Sequence, residues 1–178
     1  GLSGSLTIPN NVTTIGNHAF YYCEGFTGSL TIPNNVTTIG NFAFGSCKFS
    51  GTLTIPNSVT TIGNGAFDSC KFSGTLTIPN SVTTIGNYAF AYCEGFTGSL
   101  TIPNSVTSIG EWAFFECSGF TGSLTIPNSV TSIEECTFYG CSGFTGSLTI
   151  PNSVTYIGND AFKQCNGFSD VYSFAVTA

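Results

Sequence analysis

The sequence predicts an α/β solenoid of seven turns, each with short parallel strands and a short helix, and two regularities predict it. Prolines recur at Pro9, Pro33, Pro56, Pro79, Pro103, Pro127 and Pro151, at spacings of 24, 23, 23, 24, 24 and 24 residues. Fourteen residues after each proline stands a cysteine: Cys23, Cys47, Cys70, Cys93, Cys117, Cys141 and Cys165. A unit of this length cannot bury its apolar face alone and is stable only when stacked on its neighbours.

The elements follow in order within one turn, for example Ser99 to Phe120. Leu100-Thr101-Ile102 alternates as a half-buried strand, and Pro103-Asn104 turns the chain because proline cannot donate to a strand ladder. Val106 to Ile109 makes a second short extended piece, closed by Gly110. Glu111 to Cys117 then reads as about two turns of helix, with Ala113, Phe114 and Cys117 within about 100° of arc on one side. The predicted inward set is Leu100, Ile102, Val106, Ile109, Ala113, Phe114, Cys117 and Phe120. Two turns are one residue shorter at the same loop, Cys47-Lys48-Phe49 and Cys70-Lys71-Phe72, where others read Cys-x-Gly-Phe. The array is expected to span residues 1–167, and the string after it, without a proline turn, to form a capping strand over 168–178. Gly1 is preceded by neither a methionine nor a leader, so the chain reads as trimmed from a protein that continues upstream.

The pattern Leu-Thr-Ile-Pro-Asn-Ser-Val-Thr-Ser-Ile-Gly-x-x-Ala-Phe-x-x-Cys resembles the BspA-like leucine-rich repeats over essentially the whole chain, with about ten matching positions in each of seven copies. One departure is the link from cysteine to the next strand, where Phe and an added Gly-Ser or Gly-Thr replace a plainer Leu-Thr-Ser-Ile. The resemblance implies a right-handed leucine-rich-repeat coil on a secreted or cell-surface protein, with adhesion as the usual role. Localisation is therefore expected to be extracellular or at the cell surface.

Composition narrows the chemistry. Only 7% of residues are charged, with three lysines, no arginine, nine carboxylates and one histidine, for a net charge of −6; an average soluble domain carries about 25%. Phosphate-backbone binding depends on clustered basic side chains, so nucleic acid is not an expected partner. No apolar run is long enough to span a membrane, so no membrane insertion by this segment is expected. No catalytic residues are assigned: His18 alone cannot build a proton relay, and neither a Ser/His/Asp set nor a phosphate-cradling glycine motif occurs. The array is therefore read as no enzyme, with no cofactor and no metal, since the cysteines lack both histidine partners and paired Cys-x-x-Cys spacing. They are expected to be reduced, buried thiols, because equivalent side chains in a solenoid point the same way. Cys136 stands apart, nine residues after Pro127, and is expected to face solvent.

Overlaying the turns shows where the sequence varies. The residues nine, twelve and thirteen after each proline change freely, and helical spacing i, i+3, i+4 would place them outward on one face. Eight of these 21 sites are aromatic: Tyr21, Tyr22, Phe42, Tyr88, Tyr92, Trp112, Phe115 and Tyr139. Solvated faces usually carry lysine and glutamate, whereas Tyr and Trp are enriched at binding hot spots. The candidate ligand-binding residues are Tyr88, Tyr92, Trp112, Phe115 and Tyr139, with Asp68 and Ser69 on the opposite flank. The invariant strand threonines, Thr7, Thr31, Thr54, Thr77, Thr101, Thr125 and Thr149, read instead as residues chosen for strand propensity. The expected function is non-enzymatic adhesion to a host protein or glycan ligand through the aromatic face. The alternative is a structural spacer that holds another domain away from the cell surface.

Overall fold

The computed structural model of the chain describes residues 4–173. They wind into a parallel β-solenoid of about seven coils, one for each proline, and every assigned strand pair is parallel. Leu-Thr before the proline forms one set of strands: β2 (Leu30–Thr31), β4 (Leu53–Thr54), β7 (Leu100–Thr101), β9 (Leu124–Thr125) and β11 (Gly146–Ile150). Thr-Ile or its equivalent after the proline forms a second set: β1 (Thr14–Ile15), β3 (Thr38–Ile39), β5 (Thr61–Ile62), β6 (Thr84–Ile85), β8 (Ser108–Ile109), β10 (Ser132–Ile133) and β12 (Tyr156–Ile157). The strand β13 (Phe168–Ser173) pairs with β11. Residues 174–178 of the expected capping strand lie outside the described residues.

The predicted helix in each turn is absent: no helix occurs among the described residues, and Glu111 to Cys117 is a run of turns. The hydrogen bonds explain why. In the fourth coil the N–H groups of Tyr88, Phe90 and Tyr92 donate to Glu111, Ala113 and Phe115 of the next coil, at 2.9, 2.8 and 2.7 Å. The intervening N–H groups of Ala89, Ala91 and Cys93 reach back three residues, to Gly86, Tyr88 and Phe90, at 3.3, 3.1 and 3.2 Å. An α-helix would spend every N–H on the residue four back. Here alternate donors stitch coil to coil, and the residues nine and thirteen after each proline take left-handed φ values, for instance 57° at both Tyr88 and Tyr92. Left-handed non-glycine residues cost on the order of 1 kcal/mol each and persist because the stack of coils over-determines them.

All eight residues of the predicted inward set, Leu100 through Phe120, are buried. The core is dominated by two columns of phenylalanine. One runs Phe20, Phe44, Phe67, Phe90, Phe114, Phe138 and Phe162, with successive centroids 5.2 to 5.6 Å apart. The other runs Phe26, Phe49, Phe72, Phe96, Phe120, Phe144 and Phe168 at 5.3 to 6.0 Å. Edge-to-face contacts such as Phe67–Phe72, at 6.0 Å and 75°, tie the columns together.

Polar ladders run beside them. The Asn17, Asn41 and Asn64 side chains each accept the N–H of the equivalent residue one coil on, at 2.8 to 2.9 Å. Each cysteine from Cys47 to Cys165 in the ladder directs its thiol to the carbonyl of a phenylalanine one coil back, such as Cys93 to Phe67 at 3.1 Å. Burial holds the Cys70, Cys93, Cys117 and Cys141 thiols well above the usual range.

The sixth coil breaks the second strand set. The ladder runs β1-β3-β5-β6-β8 and then stops, and β10-β12 is a separate pair. At the position after the strand, six coils carry glycine, where an added Cβ at Gly86 would lie 2.6 Å from the Asn64 backbone nitrogen. The sixth carries Glu134, whose Cβ has no room at so close an approach, and there the strands β8 and β10 are not hydrogen-bonded.

Candidate functional site

The outer rows are built by the turn segment. In the second to sixth coils alanine (Thr137 in the sixth), phenylalanine and cysteine at ten, eleven and fourteen after the proline enter the core, so the side chains at nine, twelve and thirteen stand on its other side. Parallel stacking then brings equivalent residues of successive coils into rows along the axis, one coil spacing of about 4.8 Å apart.

Not all 21 positions face solvent. Gly45, Gly65, Ala91, Cys136 and Gly140 are buried. Cys136 is the clearest correction to the sequence reading: it is 4% exposed rather than solvent-facing. Its thiol is held above the ordinary range by burial first, then by Glu135 and Asp160. It lies in a row between Trp112 and Asp160, whereas the helical face expected from the sequence does not exist.

The aromatic positions gather into two clusters. In the larger, Tyr88 stacks on Trp112 with centroids 5.7 Å apart and planes 15° from parallel. Trp112 tilts against Phe115 at 4.7 Å, and Tyr92 meets Phe115 edge-on at 5.2 Å. Phe115 stacks on Tyr139 at 4.9 Å, and the Lys163 ammonium lies 5.7 Å from the Tyr139 ring centre. The five candidate residues thus form one connected surface, with Tyr88 and Tyr92 40% and 44% exposed and the other three half-buried. The smaller cluster joins His18, Tyr21, Tyr22 and Phe42, with His18 stacked on Phe42 at 5.4 Å and Tyr21 meeting Tyr22 at 4.5 Å. Between the two clusters the third coil contributes Gly65, Asp68 and Ser69, which carry no ring.

With this geometry the chain can be compared with known proteins. The model of the BspA type leucine rich repeat region (6 copies) matches residues 3–121 and 83–174. The chain belongs to this family. The BspA-type coils superpose on a leucine-rich repeat protein from Bacteroides ovatus, with 28% identity and a TM-score of 0.74, over 96% of this chain and 45% of that one. The array therefore spans less than half the length of that relative. A T. pallidum leucine-rich repeat protein is similar at 22% identity and a TM-score of 0.65, over 93% of this chain and 71% of the other. A leucine rich cell surface protein from Faecalibacterium prausnitzii is similar at 24% and 0.56, over 99% and 61%. These last two show the fold alone. A search of the curated proteins found no match. Leucine-rich repeat arrays of this kind are generally binding or scaffold modules, and among the described residues no helix is long and apolar enough to cross a membrane.

The electrostatics of the BspA-type outer face are sparse. Lys48 pairs with Glu24 at 3.5 Å, Lys71 with Glu94 at 3.4 Å and Lys163 with Asp160 at 3.0 Å. All three lysines are thus engaged. The half-buried Asp68 carboxylate accepts a hydrogen bond only from the Ser69 hydroxyl, at 3.3 Å, among the described residues. Burial raises its carboxyl above the usual range, and the hydroxyl lowers it less. Tyr88 is raised by burial, then by Glu111 and Glu135. The strand threonines are all exposed and line shallow grooves with the Pro-Asn turns, as at Thr77, Asn80, Thr101 and Pro103. The sequence reading missed the contacts within the smaller cluster and the isolation of Asp68. Reading each row from coil to coil, rather than each triplet within a coil, would have found both.

Proposed function

We propose that the array is a binding module whose recognition surface is the connected cluster Tyr88, Tyr92, Trp112, Phe115 and Tyr139. It acts as an adhesive contact on a secreted or cell-surface protein. The observation that carries this reading is the contact chain across three successive coils, which fixes five large side chains before any partner arrives. Rings held by each other lose little conformational freedom on binding, and such anchors dominate interface energetics. The variable rows supply specificity, since the threonine face repeats one residue on every coil. Extracellular placement agrees with the F. prausnitzii neighbour, which is named a cell surface protein.

The test uses a partner captured on a protein and glycan array with the purified domain. Replacing Trp112 and Tyr139 with alanine is expected to weaken binding at least tenfold, about 1.4 kcal/mol. Binding that survives this pair but is lost on changing Thr77, Thr101 and Thr125 moves recognition to the strand face and overturns the proposal.

A further inference from the structure

The aromatic rows are discontinuous at one place, and the break has a distinct chemistry. Along the row nine residues after proline, His18 stacks on Phe42 and Tyr88 stacks on Trp112, but Gly65 between them has no side chain. A Cβ built at Gly65 would run into the Phe42 ring, so that ring lies over the bare Gly65 backbone. Coils two and four are about 10 Å apart, two strand spacings, and the leaning Phe42 ring takes up part of that interval on the side away from Tyr88.

In the larger cluster, stacking covers one face of four of the five rings. Tyr88 and Trp112 cover each other, Phe115 and Tyr139 cover each other, and Lys163 lies over Tyr139. Tyr88 stacks on Trp112 alone among the described residues, and on its other side the row meets Gly65, which carries no ring.

The same break holds Asp68, one residue from Ser69 and three from Gly65. Tyr21 lies across Gly45 toward it, with ring carbons 3.1 Å from a Cβ built at Gly45, and its hydroxyl feels the Asp68 charge. Asp68 has no cationic partner among the described residues, the three lysines are engaged elsewhere, and the chain contains no arginine. The net charge of −6 favours a cationic visitor.

Taking the aromatic face as the binding surface, we propose that this break at the third coil receives a guanidinium, the arginine side chain of a protein partner. A guanidinium is planar, stacks on an aromatic face, bonds a carboxylate through two N–H groups and is weakly enough hydrated to enter a half-buried site. An ammonium matches the charge but neither the plane nor the fork.

The test is titration of the whole chain with N-acetyl-arginine amide, followed by backbone amide NMR shifts. Saturable shifts at Gly65, Ser69 and Ala91 are expected, at least fivefold weaker with N-acetyl-lysine amide and lost in Asp68→Asn. Gly65→Tyr fills the break and is also expected to abolish them. It should fold, because Tyr88 holds the same φ of 57° at the equivalent position and the new Cβ meets only the end of the Phe42 side chain, which can turn away. Asp160→Asn is expected to change nothing. No saturable response up to about 50 mM, an unchanged response in Asp68→Asn, or tighter shifts of the same amides by methyl glycopyranosides would overturn the proposal. If the arginine response fails while partner binding still depends on Trp112 and Tyr139, only this inference falls. If that dependence is absent as well, the aromatic surface itself is wrong.

Discussion

At the scale of single residues, the eight thiols differ by depth. Cys47, Cys70, Cys93, Cys117, Cys136 and Cys141 are buried, whereas Cys23 and Cys165, in the first and last coils, are half-buried. A thiol reagent on native protein should therefore label about two cysteines per chain, at the two ends, with Cys136 silent. The thiolate is the reacting form, and Cys165 is pushed up to about 11, first by burial. Its labelling rate should climb about tenfold per pH unit from neutrality toward that value, checked by mass spectrometry of digests across a pH series. Rapid labelling of Cys136 at neutral pH would contradict its burial. The sequence alone placed the seven ladder cysteines inward correctly for the middle coils, because one apolar offset repeated without exception. It misplaced Cys136 because that position was argued from helical arcs, and exposure in this fold depends on what the adjacent coils place beside a residue. The acceptor roles of Asn17, Asn41 and Asn64 were also unreadable, since a polar residue at a surface turn gives no sign of a partner 23 or 24 residues away.

At the scale of the coil, the strands on both sides of proline were legible, since Leu-Thr-Ile and Thr-Ile-Gly carry the alternation of a half-buried strand. The turn segment was not. Ala113, Phe114 and Cys117 fit a helix face, but consecutive three-residue turns give the same spacing, so periodicity could not separate them. What decides between them is where the N–H groups go, and that depends on the neighbouring coil. The sixth coil shows how narrow the strand junction is, since Glu134 in place of glycine coincides with loss of hydrogen bonding between β8 and β10. Gly86→Ala should open a similar break in the fourth coil, because its Cβ would meet backbone atoms Asn64 N and Gly63 C at 2.6 and 2.7 Å. A loss of about 1–3 kcal/mol is expected from overpacking against backbone. Glu134→Gly should shift stability the other way. Urea unfolding of both variants checks the pair, and equal stability in all three proteins would refute the account.

For the whole molecule, stability is a sum of similar coil-to-coil contacts, so removing one coil should subtract about one share. Deleting residues 64–86 joins Gly63 to Asn87, preserves the repeat register and removes one 23-residue period. The shortened chain is expected to unfold cooperatively, with a denaturant slope about one-seventh smaller, because that slope follows the surface exposed. Loss of a cooperative transition would mean that the third coil carries something its neighbours lack.

The direction of the bonds between coils has a consequence for how such a molecule can lengthen. In the turn segment, N–H groups of each coil donate toward the C-terminal neighbour, from His18, Phe20 and Tyr22 in the first coil to Cys136, Phe138 and Gly140 in the sixth. Along this segment every joint therefore has a giving side and a receiving side, while after the proline N–H groups such as Thr37 and Gly40 donate the opposite way, so each joint has a fixed polarity at each place along the coil. A tandem gene duplication that inserts one full period creates two joints of the kind already present and no new type of contact. An inverted unit would set donors against donors. Growth by whole periods, always in one sense, is thus the change of length this backbone accepts most readily, and binding residues can drift on each added coil while its joints remain the same.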